Sequence, residues 1–131
     1  NLFDRSAYDG AMRDLAVAEG IGVVTYYSLA KGFLSGKYHS AADLGKSPRG
    51  NGVKGYLNER GMRILGALDR VAERHAAAPA EAALAWLIAR PGVTAPIASA
   101  TSLAQLESLI RAASLQLSAD DVARLDEASR Y

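Results

Sequence analysis

The feature that most limits what this chain can fold into is its small number of strand-forming segments. Two stretches, Ile21–Tyr27 and Thr94–Ala98, have the short apolar composition of buried strands, and Asn1–Phe3 is typical of the tail of a third. Helical patterns separate them, and alternating strands and helices form a parallel sheet with right-handed crossovers. Three parallel strands cannot close a barrel, and as an open sheet they leave an apolar edge unpaired. The sequence therefore predicts part of a larger β/α fold.

The helices are predicted from apolar spacing and from their end signals. The first begins at Asp4 or Ser6 and ends before Gly20. The others run from Asn58 or Glu59 to about Ala77, from Pro79 to Pro91, from Ser102 to Ile110, and from Ser118 onward with Asp121 completing a capping box. Ala83, Leu84, Leu87 and Ile88 predict an apolar stripe on the Pro79 helix, where Trp86 is expected to pack in the core. Ile21–Tyr27 is apolar on both faces, as buried parallel strands are.

The segment from Ser28 to Asn58 has no clear periodicity and holds six of the twelve glycines. Loops of this length are uncommon inside domains and are usually functional or mobile. All four lysines lie in it, and with Arg49 against Asp43 its net charge is +4, while the whole chain carries only +1. The segment leaves the carboxyl end of a strand, where ligands bind in open sheets and barrels. A basic ligand-binding loop and a solvated, disordered loop both fit this pattern.

The stretch Thr94–Ile110 is typical of a short strand, a turn of small residues and a helix. Ser102 stands at the N-cap, and Gln105 follows three residues later as in a capping box. The free amides and positive dipole end of such a helix form an anion site, for which phosphate is the usual ligand. Many Ser-capped helices bind nothing, so the pattern alone leaves both interpretations open.

Composition limits the classes of function. A length of 131 residues fits one domain or part of one, and a hydrophobic share of 50% is enough for a core. The net charge of +1 does not favour nucleic acid or an anionic membrane as a partner. The absence of cysteine excludes disulfides, thiolate nucleophiles and zinc–thiolate sites, and it fits a cytoplasmic protein. No apolar run is long enough to span a bilayer, and His39 and His75 are both expected at the surface.

Two segments, Val23–Tyr38 and Pro96–Leu109, together resemble sequences of the aldo-keto reductases. VVTYYSLAKGFLSGKY, from Val23 to Tyr38, is similar to the family's seventh barrel strand and its loop, whose usual form is close to AYSPLAGGLLTGKY. PIASATSLAQLESL, from Pro96 to Leu109, is similar to the eighth strand and phosphate-binding helix, usually near IPGARSPEQLEEN. NLFDR at the start resembles the end of the sixth strand. The resemblance implies an α/β fold, a partial (β/α)8 TIM barrel comprising its C-terminal half from the end of strand 6, with residues 1–131 forming the C-terminal part of one oxidoreductase domain.

The same resemblance implies a binding site for the cofactor NADP, with NAD as the alternative. Tyr26 matches the tyrosine that stacks on the nicotinamide, and Ser99 to Ser102 match the turn at the adenosine 2′-phosphate. The full set of implied cofactor-binding residues is Tyr26, Tyr27, Ser28, Leu29, Ala30, Lys31, Gly32, Lys37, Ala98, Ser99, Ala100, Thr101, Ser102 and Gln105. NADP-selective relatives usually carry Lys or Arg in that turn, whereas Ser99, Thr101 and Gln105 are neutral. The family's adenine-site asparagine corresponds to Leu109.

No catalytic or metal-binding residue is expected in this chain. The family's catalytic Asp, Tyr, Lys and His belong to the N-terminal half, so the chain is expected to be an inactive fragment of an enzyme that interconverts carbonyl compounds and alcohols. Its expected partners are that small-molecule substrate and the missing half-barrel. Two alternatives stay open: a non-catalytic half-barrel that binds nucleotide or pairs with itself as a homo-oligomer, and half of an unrelated phosphosugar-binding barrel.

Overall fold

The computed structural model describes residues 1–46 and 50–131. In chain order these residues form α1 (Ala11–Ala18), β1 (Val24–Thr25), α2 (Glu59–Arg74), α3 (Pro79–Ile88), β2 (Ala95–Pro96), α4 (Leu103–Ser114) and α5 (Ala119–Ala128). Three short 3₁₀ segments, Ala30–Ser35, Ala41–Lys46 and Gly50–Tyr56, lie between β1 and α2. Arg49, counted above among the positive charges of the loop, lies outside the described residues.

The two strands pair in parallel, as predicted, but they are shorter than expected. Val24 pairs with Ala95 and Thr25 with Pro96. The amide of Ile97 donates to the carbonyl of Thr25 at 2.7 Å, and Pro96 has no N–H to donate. The expectation that Ile21–Tyr27 is buried on both faces is wrong, because Val24 is 55% and Tyr26 72% exposed. Asn1–Phe3 forms no strand. With one neighbour each, the strands have no further ladder to extend them.

Three of the predicted helix starts are confirmed by their caps. The side chain of Asn58 accepts from Gly61 N, and that of Ser118 from Asp121 N, where the predicted capping box is present. Ser102 accepts from Gln105 N at 3.3 Å, so this N-cap is confirmed as well. The capping box predicted there is wrong in detail, because the carboxamide oxygen of Gln105 accepts from the amide of Thr101, one residue before the cap.

The first helix starts later than Asp4 or Ser6. Residues 6–10 form turns, and α1 begins at Ala11 after Gly10, whose φ is 98°. That left-handed backbone cannot continue from a preceding helix and favours glycine. Within this turn, the hydroxyl of Tyr8 donates a hydrogen bond to the carbonyl of Gly92 at 2.5 Å. This bond connects the segment to the chain just after α3.

Helix α3 is the centre of the molecule. Every residue from Glu81 to Leu87 is buried, because α2, α4 and the first 3₁₀ segment all pack against it. The predicted apolar stripe is therefore wrong as a stripe: the helix is covered nearly all round, whereas Ile88 is 43% exposed. Trp86 packs in the core as predicted, and its Nε1 donates to Asp126 at 3.1 Å.

The long loop is folded in its described part. Phe33, Leu34, Tyr38 and Val53 are fully buried and join the core that α2 and α3 form. Phe33 stacks on Tyr56 with ring centroids 5.3 Å apart. The interpretation of a solvated, disordered loop is therefore wrong for these residues, whose aromatic side chains anchor the segment to the helices.

Candidate functional site

The parallel pairing of β1 and β2 brings two loops together. Parallel strands end at the same edge of a sheet, so the residues that follow Thr25 lie beside those that follow Pro96. The hydroxyl of Ser28 donates to the carbonyl of Thr25 at 3.1 Å and turns the chain away from the strand. The two loops enclose a cleft at the carboxyl end of the sheet, which we call the strand-end cleft.

The strand-end cleft has a volume of about 570 Å³. Its walls come from both loops and from the glycine-rich segment that folds back over them. The lining residues are Tyr27, Ser28, Leu29, Lys31, Gly32, Gly52, Ile97, Ala98 and Ser99. Gly32, Gly52, Ala98 and Ser99 are small, so that a ligand such as phosphate could approach the backbone closely at these positions.

The backbone of the first loop is strained where it borders this cleft. Tyr27, Ala30 and Lys31 have φ values of 53°, 48° and 58°, in the left-handed region that non-glycine residues rarely adopt. Each such residue costs on the order of 1 kcal/mol or more, and strained residues cluster at ligand sites. Of the three, Tyr27 and Lys31 line the cleft, whereas Ala30 lies in the core.

The lysines of the long loop differ in whether a carboxylate lies beside them. Lys46 forms a 2.7 Å ion pair with Asp43. The hydrogen bond from Lys46, together with those from the His39 and Ser40 amides, lowers the pKa of Asp43 to about 2. Lys31 and Lys37 form no ion pair with any residue in the described ranges 1–46 and 50–131. Lys31 Nζ lies 5.9 Å from the centroid of the Tyr27 ring. Within the described part of the chain, the ammonium groups of Lys31 at the cleft and Lys37 beside it thus have no carboxylate partner.

The structure places part of the implied binding set in the cleft and part outside it. Tyr27, Ser28, Leu29, Lys31, Gly32, Ala98 and Ser99 line it together. Lys37 lies next to it, with Nζ 3.9 Å from the position that a Cβ on Gly32 would take. Ala30 is fully buried in the core. Ala100, Thr101, Ser102 and Gln105 continue from the cleft into α4 but do not line it.

Tyr26 lies apart from this cleft. Its side chain borders a second, mainly apolar cavity of about 450 Å³ that is lined also by Tyr27, Met12 and Trp86. The rings of Tyr26 and Tyr27 lie 5.0 Å apart, so the two tyrosines connect both cavities. Tyr27 lines both cavities, whereas Tyr26 lines only the second of the two.

Sequence reasoning missed two lining residues, Gly52 and Ile97. Gly52 comes from the far end of the long loop, and a Cβ there would stand 3.5 Å from Lys31 Cδ. The excess of glycine in that segment was a signal, but it did not single out one position. Ile97 was predicted to lie inside the strand Thr94–Ala98 as a buried apolar residue, but the strand ends at Pro96 and Ile97 is 54% exposed.

A sequence model of the aldo/keto reductase family matches residues 1–130. This chain belongs to the aldo/keto reductase family. The match spans both loops of the strand-end cleft and all five helices. It also agrees with the parallel β1–β2 pair, since aldo/keto reductases are built on a (β/α)8 barrel, of which this chain forms a part.

Individual relatives are longer than this chain. An uncharacterised oxidoreductase of Mycobacterium tuberculosis is 39% identical over 128 residues, which cover 95% of this chain and 39% of the relative. L-glyceraldehyde 3-phosphate reductase of Escherichia coli is 29% identical over 134 residues, covering 97% and 39%. A probable aldo-keto reductase of Glycine max is 29% identical over 115 residues, covering 83% and 32%. The chain thus spans about two fifths of the length of the first two.

The described residues contain neither a metal-binding cluster nor a membrane-spanning helix. In ranges 1–46 and 50–131, no three His, Asp or Glu side chains gather in a way that could hold a metal ion. None of the helices in those ranges combines the length and apolar character needed to cross a membrane.

Proposed function

We propose that this chain supplies the dinucleotide-binding part of an oxidoreductase that interconverts carbonyl compounds and alcohols. The strand-end cleft would hold the phosphates of a nicotinamide cofactor. When bound, the nicotinamide supplies a hydride to an aldehyde or ketone, or accepts one from an alcohol. The observation that carries this proposal is the convergence of left-handed backbone at Tyr27 and Lys31, small residues, and the ammonium group of Lys31, with that of Lys37 beside it, on one cleft between the ends of β1 and β2.

The contacts of this chain suit an anionic ligand. Lys31 and Lys37 provide positive charge, and charge-assisted hydrogen bonds to phosphate are about twice as strong as neutral ones. Gly32 and Gly52 allow close approach to the backbone, and Ser99 offers a hydroxyl group. The hydroxyl of Ser28 is buried and donates to the carbonyl of Thr25, so this residue shapes the wall of the cleft. Tyr27 provides an aromatic wall 58% exposed to solvent. This donor set matches a pyrophosphate better than a carbonyl substrate.

We favour NADP over NAD as the cofactor, on the resemblance of Ser99–Ser102 to the family's 2′-phosphate turn. The hydroxyls of Ser99 and Thr101 would then replace the usual cation. Because those groups are neutral, the preference over NAD is expected to be small. The absence of cysteine further supports a proposed location in the cytoplasm.

Replacing Lys31 by Gln is expected to raise the dissociation constant for NADPH about tenfold, because one charge-assisted contact to phosphate is lost. Lys37→Gln should act in the same direction. The measurement is a calorimetric or fluorescence titration of the chain with NADPH and NADH at two salt concentrations. The loss should shrink as salt rises, since screening weakens exposed charges.

Lys54→Gln is the matched control, because Lys54 is exposed on the same segment but does not line the cleft. It should leave the dissociation constant within about twofold of the parent value. Equal effects of Lys31→Gln and Lys54→Gln, or no saturable binding to the unaltered chain, would contradict the proposed site.

We also propose that further β/α units cover the open sheet, with a second copy of this chain as the alternative. Both strands have unpaired edges, and Ile21, Val24, Tyr26 and Ile97 are all more than half exposed. Apolar side chains on an open sheet edge favour association. Light scattering after size exclusion should show a concentration-dependent dimer of the isolated chain. Replacing Val24 by Lys should return it to a monomer. A stable monomer at all concentrations would rule out the second copy.

A further inference from the structure

Glu81 is a buried carboxylate that connects two helices. It stands in the first turn of α3, and only 3% of its surface is exposed. Its Oε2 accepts from the amide of Ala78, at the start of its own helix, at 3.2 Å. Its Oε1 faces α4 and accepts from Ser108 Oγ at 2.7 Å and from Arg111 Nε at 3.0 Å. The two carboxylate oxygens therefore contact different helices: Oε2 accepts from the start of α3, and Oε1 accepts from α4.

The ionised form of Glu81 is the one that these contacts stabilise. Burial raises the pKa of the carboxyl, but the hydrogen bonds from Ser108, Ala78 N and Arg111 outweigh burial, so that the pKa is lowered overall. A buried carboxylate is costly unless it is paired and hydrogen-bonded, and an apolar residue would fill the same space without that cost. Packing alone therefore does not explain why a charged side chain occupies position 81.

Helix α4 combines packing against α3 with polar contacts to Glu81. Among its described residues only Ala112 is buried. Leu103, Leu106 and Ile110 lie on its exposed side. Packing normally supplies most of the stability of a helix within a protein, and α4 does pack against α3. Because few of its own apolar side chains are buried there, the polar contacts with Glu81 add a second, directional connection between the two helices. Ser108 and Arg111, which contact Glu81, lie in its middle and last turns.

The amino end of α4 continues directly from the strand-end cleft. Ile97, Ala98 and Ser99 line the cleft, and α4 begins at Leu103 behind the Ser102 cap. Ser108 lies less than two turns from this start, at 1.5 Å of rise per residue. A shift of α4 along or about its axis would therefore move the second wall of the cleft.

We propose that Glu81 is a positioning residue for the dinucleotide site, acting through Ser108 and Arg111 to fix α4 and the Ile97–Ser99 wall. This inference rests on the proposed function, because that function assigns the cleft its ligand. Glu81 itself does not line the cleft and is given no contact with the cofactor.

The test compares Glu81→Gln and Ser108→Ala with Asp121→Asn. Asp121 is buried to the same degree as Glu81 and also accepts a hydrogen bond from the N-cap amide of its own helix. That helix is α5, which does not line the cleft. All variants are titrated with NADPH and NADH at a temperature where each is folded. Hydrogen exchange is measured at the amides of residues 99–106 without nucleotide.

The positioning role predicts that Glu81→Gln raises the dissociation constant about tenfold and speeds exchange at those amides by a similar factor. Ser108→Ala should show the same pattern to a smaller degree. Asp121→Asn should lower the unfolding midpoint while leaving both readouts near their parent values.

The outcomes separate the two proposals. If the unaltered chain binds neither cofactor, the proposed function fails and this role with it. If the unaltered chain binds and Glu81→Gln binds equally well with unchanged exchange, only the positioning role is overturned. Equal losses of affinity in Glu81→Gln and Asp121→Asn would also overturn it, because general destabilisation would then account for both.

Discussion

Replacing Gly61 by Ala is expected to destabilise the fold by about 3 kcal/mol, near the upper end of measured overpacking costs. A Cβ at this position would stand 1.8 Å from the carbonyl oxygen of Tyr56 and 3.0 Å from Phe33 Cζ. The Tyr56 carbonyl cannot move freely, since it accepts from the amide of Asn58 at 2.9 Å. Phe33 is fully buried against the ring of Tyr56. The change would therefore push apart the start of α2 and the loop anchored on it.

Gly66 offers a control on the same helix. A Cβ there would meet only Arg70 Nη1, at an ordinary 3.7 Å. Alanine is favoured over glycine within helices by about 1 kcal/mol, so Gly66→Ala should raise stability by up to that amount. Urea unfolding followed by circular dichroism measures both variants. Similar effects of the two substitutions would show that the contact with Tyr56 does not govern α2.

Replacing Asp121 by Ala is expected to cost about 2 kcal/mol at neutral pH, because hydrogen bonds to a buried charged group are lost. The carboxylate accepts from Ser118 Oγ at 2.7 Å and from His75 Nε2 at 2.8 Å. It also forms an ion pair with Arg74. These contacts join the end of α2 to the start of α5, so the substitution loosens both helices at once.

The same residue makes stability depend on pH. Burial raises the pKa of Asp121, but hydrogen bonds from His75 and Ser118 and the charge of Arg74 outweigh it and lower the pKa to about 2. Because the folded value lies below the ordinary 3.8, the contribution is complete above pH 4 and is lost as pH falls toward 2. The difference in unfolding free energy between the parent chain and Asp121→Ala should shrink over that range.

Asp120 is the control for this substitution. It lies in the same first turn of α5, is exposed, and forms no ion pair or hydrogen bond with the described residues. Asp120→Ala should change stability by only the few tenths of a kcal/mol expected of a helix-dipole contact. A pH-independent loss in Asp121→Ala, or an equal loss in Asp120→Ala, would contradict the role given to the buried carboxylate.

The elements that could be predicted from sequence are those defined by local chemistry. Asn58, Ser102 and Ser118 were predicted as helix starts because a capping side chain acts on amides two or three residues away. Pro79 was predicted at the start of α3 for a similar reason, since its missing N–H is tolerated there. The parallel order of the strands followed from their alternation with helices.

Burial could not be predicted in the same way. Helix α3 showed a one-sided stripe in sequence, yet its small alanines also allow neighbours on its other faces. The loop that holds Phe33, Tyr38 and Val53 showed no periodicity, although these side chains enter the core. His75 was expected at the surface, but it is partly buried against Asp121, 46 residues away in the chain. His39 is exposed as expected.

By itself, the sequence determined where most helices begin, that the strands run parallel, and that positive charge is concentrated between β1 and α2, because each depends on neighbouring residues. The tertiary structure alone decided where the described charges of that segment lie, since Lys46 forms an ion pair with Asp43, while Lys31 lines the cleft and Lys37 lies beside it. It also decided that Gly52 and Ile97 share a wall with Lys31. Those proximities arise between distant parts of the chain, and only folding brings such parts together.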